Sequence, residues 1–134
     1  MQTILAILEQ AGGWHHGLYL KIENPPYMEL VIEATDESGP CGLPALSVAQ
    51  YGDALCKPEM CFELGLANGP HLNAFYYRND YVGVEQWSRT IVRENYVYLV
   101  SVHQQHERFA KAWDNNLRLQ GFAEAFEQQQ TPRA

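Results

Sequence analysis

The sequence predicts an α+β fold: an antiparallel sheet of about four to six strands in meander order, with a short N-terminal helix and a long C-terminal helix packed on one face. Three observations carry this. Apolar residues recur at helical spacing only near the two ends of the chain. Between them, short β-branched and aromatic runs alternate with Gly, Pro, Asn and Asp turn signals at 12-to-15-residue spacing. Strands and helices are segregated, not interleaved as a β-α-β pattern would require.

The elements follow in order. Ile4, Leu5, Leu8 and Ala11 form one stripe of a helix from Thr3 to Ala11, which Gly12-Gly13 ends. Leu18 to Ile22 reads as a short strand or docked extended segment, stopped by Asn24-Pro25-Pro26. In Glu29-Leu30-Val31-Ile32-Glu33, Leu30 and Ile32 share one face and the two glutamates the other. Pro44 to Tyr51 and Glu59 to Leu64 are the next strands, with a turn at Ala67-Asn68-Gly69-Pro70. The aromatic stretch from Phe75 predicts a strand to about Tyr77, a bend at Asn79-Asp80, and renewed pairing bulged at Gly83. Thr90 to Val92 and Tyr96 to Ser101 pair across the tight connection Arg93-Glu94-Asn95. Val102, His106, Phe109, Ala110, Trp113 and Leu117 then define the apolar face of the last helix. On its outer side Glu107 with Lys111, and Asp114 with Arg118, are spaced for i,i+4 pairs. Gly121 marks a break, after which Phe122 and Phe126 carry one more turn. Residues 1–126 are expected to be one domain, and 127–134 a polar, frayed tail.

Charge and composition narrow the function classes. With 9 Lys+Arg against 16 Asp+Glu, the net charge is -7, which argues against direct nucleic-acid binding. The whole excess lies in residues 1–65, where only Lys21 and Lys57 oppose nine acids. Three cysteines make a poor disulfide framework, and Met1-Gln2-Thr3 lacks a basic leader, so the expectation is a cytoplasmic protein with reduced thiols. The longest apolar run, beginning at Tyr96, is too short to cross a bilayer, and no membrane partner is expected.

Four constellations could carry function. Glu29 with Glu33, and Glu59 with Glu63, repeat one Glu-x-x-x-Glu motif on strands separated by the 44–51 strand, so four carboxylates share a sheet face. Two readings fit them: an acidic face that attracts a Lys/Arg-rich protein, or an ordinary solvated sheet face. The aromatic segment around Tyr77, Arg78, Asp80, Tyr81 and Trp87 has the composition of a protein interface, with part of its rings in the core. His103-x-x-His106-Glu107 brings two imidazoles and a carboxylate together on a helix, but in neither metalloprotease order, and no metal is assigned to it. Cys56-x4-Cys61 lacks zinc spacing, while Cys41, in a loop, is the best-placed nucleophile if His15, His16 or His71 approaches it. No nucleotide-binding or serine-hydrolase motif is present, and no cofactor is expected.

The runs Tyr19-Leu20-Lys21-Ile22-Glu23-Asn24-Pro25-Pro26-Tyr27-Met28, Pro58-Glu59-Met60-Cys61-Phe62-Glu63 and Tyr76 to Gln86 resemble an uncharacterised bacterial domain family of plasmids, phages and integrative elements. That resemblance supplies no catalytic residues. It implies a small accessory protein acting against host defence or in element maintenance.

Together these readings lead to the expectation of a small non-enzymatic binding protein from a mobile element, an inhibitor of a host defence (CRISPR-type) complex in its most concrete form. Its partner would be a protein, such as a basic nucleic-acid-binding host complex, and a homodimer through the aromatic strand is a further option. The alternative class is a small thiol- or metal-dependent hydrolase using Cys41 or the His103/His106 pair.

Overall fold

The computed structural model describes residues 1–51 and 58–130, with the side chain of residue 51 left aside. Cys56, Asp53 and Lys57 lie outside the described residues.

Helix α1 spans Gln2–Gln10. Strands β1 (Tyr19–Ile22), β2 (Glu29–Ala34), β3 (Ala45–Tyr51), β4 (Pro58–Gly65), β5 (His71–Asn79) and β6 (Val84–Trp87) follow. They form one antiparallel sheet in sequential order, the predicted meander. A separate two-stranded hairpin, β7 (Arg89–Val92) and β8 (Asn95–Tyr98), leads into helices α2 (Val100–Leu119) and α3 (Phe122–Gln130).

All three helices pack on one sheet face. Ile4 and Ile7 of α1, Trp113 and Leu117 of α2, and Phe122 and Phe126 of α3 meet Ile22, Leu30, Ile32, Leu46, Val48, Met60 and Phe62 of the sheet in one cluster. Full burial of each Leu, Ile, Met or Phe contributes about 1.5–3 kcal/mol, which makes this cluster the principal source of stability. Polar ties set how the helices sit. The Thr3 amide of α1 donates to Asp114 Oδ1 of α2 at 2.8 Å, and Asn24 Nδ2 donates to the Gln120 carbonyl at the end of α2 at 2.7 Å. Trp113 Nε1, buried, donates to Gln50 Oε1 at 2.8 Å.

The structure departs from the sequence reading in several places. The bulge lies not at Gly83 but in β5: Cys61 faces Tyr76 while Phe62 faces Ala74, so Phe75 is the extra residue. Gly83, at φ 68°, closes the β5–β6 turn instead. The last strand stops at Tyr98, because Leu99 accepts the His103 amide and starts α2 at Val100. Members of the expected i,i+4 pairs on α2 take other partners: Glu107 Oε1 lies 3.5 Å from His103 Nε2, Asp114 Oδ1 accepts the Thr3 amide of α1, and Arg118 Nη2 donates to Asn115 Oδ1 at 2.7 Å. Helix α3 continues to Gln130, through the first residues of the expected tail. Gly121, at φ 79°, makes the break between α2 and α3.

Candidate functional site

Cross-strand partners share a face of the sheet, so the register decides where the predicted site residues point. Glu33 faces Ser47 and Glu29 faces Tyr51, while Glu59 faces Ala49 and Glu63 faces Ala45. The four glutamates therefore do lie on one sheet face, opposite the helices. They are not alike there. Glu33 is exposed, and Glu29 lies 3.5 Å from Lys21 Nζ. Glu59 accepts from Arg78 Nη2 at 2.9 Å, and Arg78 Nε also reaches Asp80 at 3.4 Å. The Glu59 charge, assisted by Tyr76 and Asp80, holds the Arg78 pKa above its ordinary value.

Glu63 departs most from a solvent-facing carboxylate, at 1% exposure. Its Oε1 lies 2.7 Å from Arg89 Nη1, and its Oε2 accepts the backbone amides of Cys41 (2.9 Å) and Leu43 (3.2 Å). Arg89, 2% exposed, also donates from Nε to the Ala74 carbonyl and from Nη2 to the Asn73 carbonyl, both at 3.0 Å. Burial alone would lower the Arg89 pKa, but its bonds to Tyr96 and Glu63 outweigh that and raise it. This node joins the 39–43 loop, β4, β5 and the hairpin. Gly39 is required at it, since a Cβ there would overlap the Glu63 side chain.

The aromatic segment divides across the sheet. Tyr77 turns toward α2, with its ring 4.9 Å from Phe109 and 5.7 Å from His106, so it belongs to the helix-packed face and not to an outer contact surface. Arg78 lies on the opposite face with Tyr76, whose hydroxyl donates to Glu85 Oε2 at 2.6 Å. Burial and the Glu85 carboxylate push the Tyr76 pKa up. Trp87 stacks on Phe75 and lies 4.5 Å from Tyr76, yet remains 47% exposed. Tyr81 and Asp80 are exposed in the β5–β6 turn.

The two histidines are held in the fold. His103 Nδ1 lies 3.2 Å from the Tyr98 hydroxyl, and its Nε2 lies 2.9 Å from Asn73 Oδ1 and 3.5 Å from Glu107 Oε1, so both ring nitrogens are engaged. His106 Nε2 donates to Gln86 Oε1 at 3.1 Å, while its buried Nδ1 has no hydrogen-bond partner. Burial, and then the neighbouring His103, lower the His106 pKa. Among the described residues, no group of three or more His, Cys, Asp or Glu side chains is placed to hold a metal ion. Cys41 is exposed, with Arg89 Nη1 3.5 Å from its sulfur. The histidines proposed to activate it bond elsewhere: His15 to the His16 carbonyl and His71 to the Gly69 carbonyl. Burial, added to the Glu59 charge, pushes the Cys61 thiol up to about 12 against the pull of Arg78, leaving it protonated at neutral pH.

A run of exposed apolar residues lies where the sequence reading placed no site residue. In the hairpin, Ile91, Val92, Tyr96 and Tyr98 are 45–50% exposed, and Leu99 and Val100 continue the surface into α2. Ile91 faces Tyr96 on one side of the ribbon, and Val92 faces Asn95 on the other. No sequence signal separates this surface from a core strand, since neither Arg89-Thr90-Ile91-Val92 nor Asn95-Tyr96-Val97-Tyr98 alternates apolar with charged residues.

A family model, Domain of unknown function (DUF6908), matches residues 2–123. The chain belongs to that family. The match runs from α1 through the sheet, the hairpin and α2 into the start of α3, so the DUF6908 domain includes both the Glu63–Arg89 node and the exposed hairpin. No curated protein and no solved structure matches the chain. Among the described residues of this DUF6908 domain, no helix is long and apolar enough to cross a membrane.

Proposed function

We propose that this DUF6908 protein is a non-enzymatic binding protein that works through protein–protein contact, with the β7–β8 hairpin as its contact element. The observation that carries this reading is the hairpin itself. A two-stranded ribbon is marginal alone in water, and this one leaves β-branched and aromatic residues exposed on both of its faces. Tyrosines such as Tyr96 and Tyr98 are of the residue type enriched at protein interfaces and their hot spots.

The polar groups favour binding over chemistry. His103 is engaged at both ring nitrogens, and neither His15, His16 nor His71 hydrogen-bonds to the Cys41 thiol. Among the described residues this gives the hydrolase alternative less support than the binding reading.

In its sharpest form the proposal is an inhibitor of a host defence complex, carried by a plasmid or phage and acting in the cytoplasm. The family resemblance supports that setting. The net charge of -7 supports a basic partner, with Glu33 the one of the four motif glutamates that is both exposed and outside any ion pair among the described residues. Internal pairing of Glu29, Glu59 and Glu63 moves the weight of the argument from the acidic motif to the hairpin.

The test is expression in a host with an active CRISPR system, scored by phage plating, together with tagged capture from that host. Restored plating and a captured effector, both lost in Ile91→Lys/Val92→Lys, are the expected outcomes. Unchanged restriction with no captured effector would remove the anti-defence form.

A further inference from the structure

We propose that the solvent face of α2 docks a short acidic protein segment that also carries an apolar side chain. This is a second surface, separate from the hairpin, and it does not depend on what the hairpin binds.

The face is built from residues at helical spacing. Gln104, Arg108, Lys111, Asn115 and Arg118 fall three or four apart and form one exposed stripe, turned away from the buried His106, Trp113 and Leu117. At a rise of about 1.5 Å per residue, its three cations span about 15 Å of the helix. They line a shallow groove of about 470 Å³ together with Ala112, Asp114 and Asn115. Leu119, four residues after Asn115 and 68% exposed, closes the stripe at its C-terminal end.

What separates this face from an ordinary solvated helix is the fate of its acids. On such a helix, carboxylates four residues from Lys or Arg pair with them. Here Glu107, four before Lys111, lies 3.5 Å from His103 Nε2, and Asp114, four before Arg118, accepts the Thr3 amide of α1. Among the described residues no carboxylate forms an ion pair with Arg108, Lys111 or Arg118. Elsewhere Lys21, Arg78 and Arg89 lie 3.5, 2.9 and 2.7 Å from a carboxylate. A chain of net charge -7 therefore holds three cations out to solvent with the neighbouring acids committed to other partners.

Charge and length select the occupant. Carboxylates of a partner segment would meet Arg108, Lys111 and Arg118 where the chain's own acids do not, and Leu119 offers an apolar contact at one end. A nucleic-acid backbone has the same sign of charge but runs on past the stripe over an acidic molecule, within a screening length of about 8 Å. A short protein segment keeps its charge on the stripe. Exposed ion pairs are individually weak, so the expected dissociation constant is about 10–100 μM at low salt and rises with ionic strength.

The experiment is fluorescence anisotropy with the full chain and a fluorescein-labelled peptide of about ten residues, glutamates around a central leucine, long enough to cover the stripe. A peptide with glutamine in place of glutamate, and a single-stranded DNA of about ten nucleotides, are the comparisons. Arg108→Glu/Lys111→Glu reverses the stripe. Lys21→Glu/Arg93→Glu makes the same change in net charge elsewhere and is the control. Circular dichroism melting checks that each variant remains folded. The expected result is binding of the glutamate peptide that weakens at least tenfold in Arg108→Glu/Lys111→Glu, in the glutamine peptide, and between about 20 and 300 mM salt. The control should stay within about twofold of wild type, and Leu119→Ser should weaken binding about threefold. No binding of the glutamate peptide to wild type, or binding that Arg108→Glu/Lys111→Glu leaves intact or the control weakens equally, overturns the proposal. DNA bound as tightly as the glutamate peptide overturns the protein segment as occupant, and an unchanged Leu119→Ser overturns the apolar contact.

Discussion

The helix-packed face of the sheet and the hairpin beside it are held by different means. Under α1, α2 and α3, a continuous apolar cluster buries Phe62, Phe122 and Phe126 to 1% exposure or less. The hairpin has no such cluster beneath it. It is anchored at its base by the Arg89–Glu63 pair, by the Arg89 bonds to the Ala74 and Asn73 carbonyls, and by the Tyr98–His103 bond. Its apolar residues stay outside. Polar anchoring with apolar display is the arrangement that the proposed contact role calls for, whereas apolar anchoring is complete within the chain.

The comparison breaks most sharply at the node. Glu63→Ala leaves Arg89 buried without its counter-charge and should lower unfolding free energy by about 3–5 kcal/mol, measured by denaturant titration. Glu63→Leu with Arg89→Met removes both charges and should cost less than Glu63→Ala alone. If the single and double variants are equally unstable, the node acts through packing and not through paired charge.

On the helix side, Leu117→Ala should cost about 2–5 kcal/mol by loss of a fully buried side chain, measured by denaturant titration. Gly39→Ala should cost about 1–3 kcal/mol through overlap with Glu63, read as a lowered melting temperature.

Histidine gives a pH handle on the helix face alone. His106 has its pKa lowered by burial and by His103, so the unfolded chain takes up a proton before the folded chain does. Stability from neutral His106 is therefore fully present above the ordinary value of 6.5 and declines as pH falls from there through the lowered folded value. Melting temperature measured from pH 7.5 to pH 5 should fall for wild type and fall less for His106→Gln. Smallest of all, Glu33→Gln on the solvent side should change stability by less than about 0.5 kcal/mol.

Much of the fold was legible in the residues, because periodicity reports burial directly. Leu30 and Ile32, Leu46 and Val48, and the His106–Trp113–Leu117 stripe all lie where their spacing put them, under the helices or within them. The meander order followed from short turn-bounded strands. Alternation could not report a bulge, however, and the extra residue Phe75 shifts register inside one aromatic run. Nor could it foresee tertiary partners. Glu59 and Glu63 occupy equivalent places in one motif, yet Arg89, 26 residues after Glu63 in sequence, buries one while Arg78 pairs the other near the surface. The hairpin was readable as an element. That its apolar residues stay exposed was not, since a run such as Tyr96-Val97-Tyr98 looks the same in a core as at an interface.

Amide hydrogen exchange on the chain alone and bound to an effector captured from a defence-positive host tests the central claim most directly, because it reads the hairpin and the core in the same sample. The account predicts that amides of residues 90–92 and 95–98 slow on binding, while those of β3 and α2 do not change. Hairpin amides that exchange at one rate with and without the effector, or protection that appears on the acidic sheet face instead, would contradict it.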